Sequence, residues 1–212
     1  MPIRVLVATT NRNKLREIHH LLADVPIEMI GLEALPRVPE PEETGETFEE
    51  NARLKAFYYG EALAGDLLPD ALVVAEDSGL VIDALGGEPG VRSARFLRPE
   101  ASYSERFDEI FRRLADRPSL PRTARFVCAL SVARHGEILF ETTGTVEGEI
   151  ADSPRGDRGF GYDPIFYYPP YRSTLAEVDD ENKLRVAHRG HAFRKLSDWL
   201  RLTFIRANGV KS

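Results

Sequence analysis

Residues 71–79 read Ala71-Leu72-Val73-Val74-Ala75-Glu76-Asp77-Ser78-Gly79: an apolar run ending in two adjacent carboxylates, a hydroxyl and a glycine. Continuous apolar runs mark parallel strands buried on both faces, and ligands in open α/β sheets sit beyond the carboxyl ends of such strands. Carboxylates at such a point are costly unless a cation, hydrogen-bond donors or water meets them. Taken alone, Asp-Ser-Gly is also what a polar strand end leading into a turn looks like. Adjacent strand residues point to opposite faces, so Glu76 and Asp77 reach one ion only if the chain bends there.

Outward from this stretch the chain alternates strand and helix signals. Ile3 to Ala8 reads as a strand, followed by helix-capping residues Thr9 to Asn13 and by Leu15, Ile18 and Leu22 at helical spacing. Ile27 to Leu32 is a second strand candidate, and Pro36 to Gly45 a loop rich in Pro and Glu. Thr47 and Glu50 have capping-box spacing and open a helix to about Ala64. Separate strands are expected at Leu72 to Ala75 and Leu80 to Ala84, before the turn-rich Gly86 to Gly90. Ser104 to Leu114 is amphipathic, Arg125 to Ala133 and Ile138 to Val146 form a hairpin around His135-Gly136, and Ser153 to Asp163 is a loop. A short strand, Ile165 to Tyr168, and a last helix, Gly190 to Arg206, complete the pattern. The expectation is one α/β domain over residues 1–212 with a mixed sheet flanked by helices.

Composition narrows the function classes. A net charge of −6 argues against a broad nucleic-acid or anionic-membrane surface, while leaving room for a local phosphate pocket. A structured-RNA binder is therefore the weakest class, for want of a basic stripe. Cys128 stands alone, which removes an intrachain disulfide or a multi-cysteine zinc site. No apolar segment reaches spanning length, and the first residues enter a strand-like run rather than a signal peptide, so a cytoplasmic protein is expected. Lysine occurs only at Lys14, Lys55, Lys183, Lys195 and Lys211. Three of those fall in polar clusters, where a compact point charge suits a phosphate oxygen.

Four clusters carry candidate chemistry. Thr9-Thr10-Asn11-Arg12-Asn13-Lys14 lies between a strand and a helix, where free backbone N–H groups and the positive helix end suit phosphate. It has neither the Walker nor the GxGxxG glycine pattern. Glu42-Glu43-Thr44-Gly45 precedes Asn51 and Lys55, which share a helix face at i and i+4. With Glu76 and Asp77, these carboxylates suit Mg²⁺, which takes a few carboxylates, waters and substrate phosphates. In Gly159-Phe160-Gly161-Tyr162-Asp163-Pro164 the glycines permit close backbone approach, Phe160 and Tyr162 offer faces to a flat ring, and Asp163 accepts ring N–H groups. Lys183, His188 and Arg189 supply donors for keto or phosphate oxygens. Each cluster also has an ordinary structural reading: capping, a solvated face, a core plug, a charged helix start.

Together, and in this order, the clusters resemble the inosine/xanthosine triphosphate pyrophosphatase family, from about Val5 to Leu196. The matching segments include Ala-Thr-Thr-Asn-Arg-Asn-Lys, Glu-Asn-Ala-Arg-Leu-Lys-Ala, Glu-Asp-Ser-Gly-Leu, Gly-Gly-Glu-Pro-Gly-Val-Arg-Ser-Ala-Arg-Phe, Phe-Gly-Tyr-Asp-Pro and Ala-His-Arg-Gly-His-Ala. The resemblance implies an elongated, two-lobed fold with a long central mixed sheet and a substrate cleft, commonly in a homodimer. It implies that Thr9, Thr10, Asn11, Arg12, Asn13 and Lys14 hold a triphosphate, assisted by Lys55 and Lys183. Asp77 matches the proton acceptor and metal ligand, Glu42 a second ligand of Mg²⁺, and Ser78 a substrate contact. Phe160, Gly161, Tyr162, Asp163, His188 and Arg189 match nucleobase recognition. The implied reaction cleaves the α–β anhydride of ITP, dITP or XTP. Thr10 stands where the family has glycine, and Ala187 where it has serine. A pyrophosphatase for modified pyrimidine nucleotides and a non-catalytic nucleotide sensor are the rival expectations.

Overall fold

The computed structural model describes residues 2–64 and 67–205. Strand β1 (Ile3–Val7) leads into helix α1 (Arg12–Leu21), then β2 (Ile27–Gly31) and helix α2 (Phe48–Tyr59). Strand β3 (Leu72–Ile82) precedes helix α3 (Tyr103–Ala115), and β4 (Thr123–Arg134) and β5 (Glu137–Ile150) are the long central strands. Short strands β6 (Phe166–Tyr168) and β7 (Ser173–Thr174) and helices α4 (Asp180–Val186) and α5 (His188–Leu200) complete the chain. The expected last helix runs to Leu200 and continues as a wider turn to Ile205; Arg206 lies outside the described residues. The sheet is mixed, in the order β2-β1-β3-β4-β5-β6-β7, with β1 parallel to β2 and β3, and β6 antiparallel to β5 and β7.

One expectation is corrected. The strand does not stop at Glu76; β3 runs unbroken through Glu76, Asp77, Ser78 and Gly79 to Ile82. Its second half finds partners that the sequence pattern did not reveal. The Ser93 hydroxyl accepts from the Leu80 N–H, Ile82 N–H donates to the Glu88 carbonyl, and Val81 bridges Pro89. The hairpin turn falls where expected: His135 and Gly136 have φ of 52° and 77°. Two successive positive φ angles match the right-handed twist of the strands they join.

The chain forms two compact units: Met1–Asp77, Cys128–Gly144 and Arg189–Ser212, and Ser78–Val127 with Thr145–His188. In the first, alternate residues of the parallel strands enter two different cores. Val5, Val7, Leu72 and Val74 pack with Ile18 of α1 and Phe193 and Leu196 of α5. Leu6, Ala8, Val73 and Ala75 pack with Ala56 and Tyr59 of α2. Burial on both faces is why these strands carry no polar alternation. The second unit has its own core, where Leu80 and Ile82 meet Phe107, Ile110 and Leu114 of α3. Phe193 is completely buried. Its replacement by alanine is expected to lower the unfolding free energy by about 3–5 kcal/mol. In urea titration the midpoint should fall with the slope unchanged; a loss below about 1 kcal/mol would contradict this packing.

Candidate active site

The alternation of β3 places its two carboxylates. Asp77 follows Val73 and Ala75 onto the α2 face, and Glu76 follows Leu72 and Val74 onto the α1/α5 face. On the α2 side the Lys55 ammonium lies 2.8 Å from Asp77 Oδ1 and 2.9 Å from Glu43 Oε1. Asn51, one turn earlier on α2, points its amide at Asp77 Oδ2, 3.4 Å away. The same amide clasps Gly45, accepting from its N–H at 2.8 Å and donating to its carbonyl at 3.3 Å. A Cβ on Gly45 would come within 2.7 Å of Asn51 Oδ1, so glycine is what lets the acidic loop seat on α2. Burial alone disfavours the Lys55 ammonium, but attraction by Asp77 and Glu43 outweighs it and raises its pKa. Burial raises the Asp77 pKa above the usual aspartate value, against the pull of Lys55 and Lys14. The expected pairing of Asn51 and Lys55 on one helix face holds, and both reach Asp77.

Glu76 belongs to a different network. Arg189 donates from Nε to its Oε1 at 2.9 Å, and from Nη2 to its Oε2 at 3.3 Å. The Cys128 thiol donates at 2.9 Å, and Lys14 Nζ stands 3.5 Å away. Arg189 also binds Glu17 at 2.6 Å. Burial pushes the Glu76 carboxyl up, but Arg189 and Lys14 overcome it and hold the group well below the usual carboxylate range. A carboxylate engaged by an arginine fork and a thiol has little left for a second metal. Arg189, expected at the nucleobase, has its guanidinium 2% exposed and committed to two carboxylates. The physical reason is that Glu17 and Glu76 are themselves buried and need a cation. Glu17 and Cys128 had no sequence signal; both lie in apolar patterns that read as core.

The start of α1 carries the expected cap. Asn11 Oδ1 accepts from the Asn13 and Lys14 N–H groups at 3.0 and 3.2 Å, so the helix end caps itself. Around this cap Thr10, Asn11, Arg12 and Asn13 are exposed, with Thr9 and Lys14 half-buried.

In the second unit, Asp163 accepts from the Phe160 N–H at 2.8 Å and pairs with Lys183 at 2.6 Å. The Lys183 ammonium stands over the Phe160 ring, 5.0 Å from its centre. Lys183 thus joins the Phe160–Asp163 group. Gly159 and Gly161 adopt φ of 70° and 68°, and a Cβ at Gly159 would strike Asp163. His188 is stacked on Phe126, centroids 4.9 Å apart. Tyr162 is not the stacking face expected: its ring is 3% exposed, because the edge contact with Tyr103 and the hydroxyl bond to the Ser93 carbonyl draw it into the core. Ser78 is half-buried in β3 beside Asp77. Glu42 is exposed, and its neighbour Glu43 is the loop carboxylate that meets Lys55.

Asp77 and Glu43, with the Lys55 ammonium between them, are a pair of oxygen donors that already stabilises positive charge. This fits Mg²⁺, which takes one or two carboxylates and completes its shell with water and phosphate. Among the described residues no three His, Cys, Asp or Glu side chains gather into an all-protein cage, as a structural zinc or calcium site would need. No described helix is long and apolar enough to cross a membrane.

A seven-stranded mixed sheet with helices on its faces, carrying a buried carboxylate against a half-buried ammonium, defines an α/β protein with a charged centre on its parallel strands. Sequence comparison sharpens that class: the chain belongs to the Ham1 family, whose profile matches residues 5–199. It is 44% identical to a dITP/XTP pyrophosphatase of Bacillus cereus over 92% of this chain and 93% of that protein. Its structure is similar to a HAM1 protein from Coxiella burnetii, with a TM-score of 0.83 and 36% identity over 95% of this chain and 100% of the other. The Staphylococcus aureus Ham1 protein gives 0.80 and 37%, covering 93% and 98%.

Because the folded state makes Glu76 more acidic, its contribution to stability is whole above pH about 4.5 and is lost as pH falls below that. Glu76→Gln should lower stability at neutral pH by about 3–5 kcal/mol, since it strands Arg189. The gap from wild type should narrow as pH is lowered from about 5 to 3. Thermal unfolding across that range checks both; a gap independent of pH would count against the ion pair.

Proposed function

We propose that the protein hydrolyses non-standard purine nucleoside triphosphates, dITP, ITP and XTP, to nucleoside monophosphate and pyrophosphate, clearing them from the nucleotide pool. The observation that carries the reading is the Asp77–Lys55–Glu43 centre: a buried, more basic carboxylate beside a fixed ammonium, one strand away from the Lys14 helix start. The names of the relatives point to the same substrates.

In this reading Thr9 to Lys14 and Lys55 bind the triphosphate through ammonium and amide donors, with Ser78 adding a hydroxyl. Asp77 accepts a proton from the water that attacks the α-phosphorus; the α–β anhydride breaks and pyrophosphate leaves. Alignment and electrostatics supply most of the acceleration in phosphoryl chemistry. Asp77 and Glu42 would hold Mg²⁺, with Glu43 on the same loop. When bound, the ion neutralises phosphate charge. Phe160, Gly161, Asp163, Lys183 and His188 receive the base, with Tyr162 anchoring their loop and Arg189 fixing the chain next to His188. Donors aimed at a 6-keto oxygen are left unpaired against an amino purine, which sets the selectivity. The family resemblance further supports a cytoplasmic homodimer.

Incubation with ITP and Mg²⁺ followed by chromatography should yield IMP and pyrophosphate; IDP and phosphate would overturn the reading. Preference for methylated pyrimidine triphosphates or dUTP over dITP would transfer it to the pyrimidine branch. Asp77→Asn should reduce kcat at least about a hundredfold while the thermal transition stays cooperative. Unchanged turnover in that variant would remove Asp77 from the chemistry.

A further inference from the structure

The segment Gly86-Gly87-Glu88-Pro89-Gly90-Val91-Arg92-Ser93 has no part in the chemistry above, yet Ser93 is 6% exposed and fully engaged. Its hydroxyl donates to the Gly90 carbonyl at 2.6 Å and accepts from the Leu80 N–H at 2.9 Å. Its own carbonyl accepts from the Tyr162 hydroxyl at 2.8 Å. One small residue therefore ties the part of β3 just past Ser78 to the loop that carries Phe160 and Asp163.

That loop needs an external anchor. Gly159 and Gly161 have left-handed backbones, a conformation that glycine adopts as readily as others, so the segment has weak preferences of its own. Its fixed points are Asp163, bound to Lys183 and the Phe160 N–H, and Tyr162, whose ring is wedged against Tyr103 and Phe107. Packing fixes where the Tyr162 ring lies; the hydroxyl bond fixes how far along its axis it sits. A shift there moves Phe160 and Asp163, which are two residues before it and one after.

We propose that Ser93 is a positioning residue for nucleobase recognition, acting through the Tyr162 hydroxyl to set the Phe160–Asp163 loop against β3. This rests on the reading of that loop as the base-binding element. It does not involve the phosphate-binding lysines of the first unit, so base affinity and phosphate affinity should respond differently.

The test uses the full-length chain with Tyr162→Phe, which keeps the ring and removes only the hydroxyl, and Ser93→Ala, which frees the Leu80 N–H. Four quantities are measured: kcat and KM for dITP, the Kd of IMP by calorimetry, and the inhibition constant of inorganic tripolyphosphate. Losing one such bond should raise KM for dITP and Kd for IMP roughly five- to tenfold. kcat should stay within about twofold and the tripolyphosphate inhibition constant should not move. A general loss of structure would weaken tripolyphosphate in parallel, and that outcome, or unchanged IMP affinity in both variants, overturns the proposal. Wild-type protein that binds IMP without hydrolysing dITP would overturn the reaction alone, and the variants would then be judged on IMP affinity. Wild-type protein that binds neither overturns both.

Discussion

Two ionised carboxylates side by side in a strand with both faces buried require a cation on each face. Desolvating such a group costs several kcal/mol even after relaxation, so each partner must be close and well oriented. On one face Lys55 answers Asp77; on the other Arg189 and Lys14 answer Glu76. Helices α1, α2 and α5, packed on the parallel strands by their apolar residues, carry these cations. The same arrangement gives the two carboxylates different chemistry. Asp77 keeps a raised pKa beside a single ammonium shared with Glu43, while Glu76 is locked by a planar fork.

Much of this was legible in the sequence because it followed from short-range rules. The period of two in β3 separated Glu76 from Asp77, and the i, i+4 spacing brought Asn51 and Lys55 to one carboxylate. The Thr47–Glu50 capping box and the His135-Gly136 turn formed where residue chemistry demanded them. What could not be read was pairing across long separations. Nothing local says that Arg189 will meet Glu17 and Glu76, or that Ser93 will supply β3 with the acceptor that carries it past Asp77. The cap at Asn11 is as local as the capping box, and it occupies the N–H groups of Asn13 and Lys14.

Lys55 and Lys183, the two lysines expected to assist on phosphate, stand in different environments. Lys55 sits between carboxylates on a helix, and Lys183 is buried against Asp163 and an aromatic face. A salt bridge of that depth is a poor source of stability but fixes the geometry of its loop. Phe160 and Tyr162, adjacent but for one glycine, divide likewise, one half-exposed and one in the core.

Cys128 is the chain's single thiol, completely buried, with its pKa pushed well above the ordinary value by burial and by Glu76. Thiolate, the reactive form, is therefore nearly absent while the fold is closed. The residue packs in the core with Ile18 of α1 and Phe193 and Leu196 of α5, so its modification requires that packing to part. The molecule thereby carries an internal gauge: the rate at which a small alkylating reagent consumes its thiol measures how often α1 and α5 lift from the sheet, free of interference from any other cysteine.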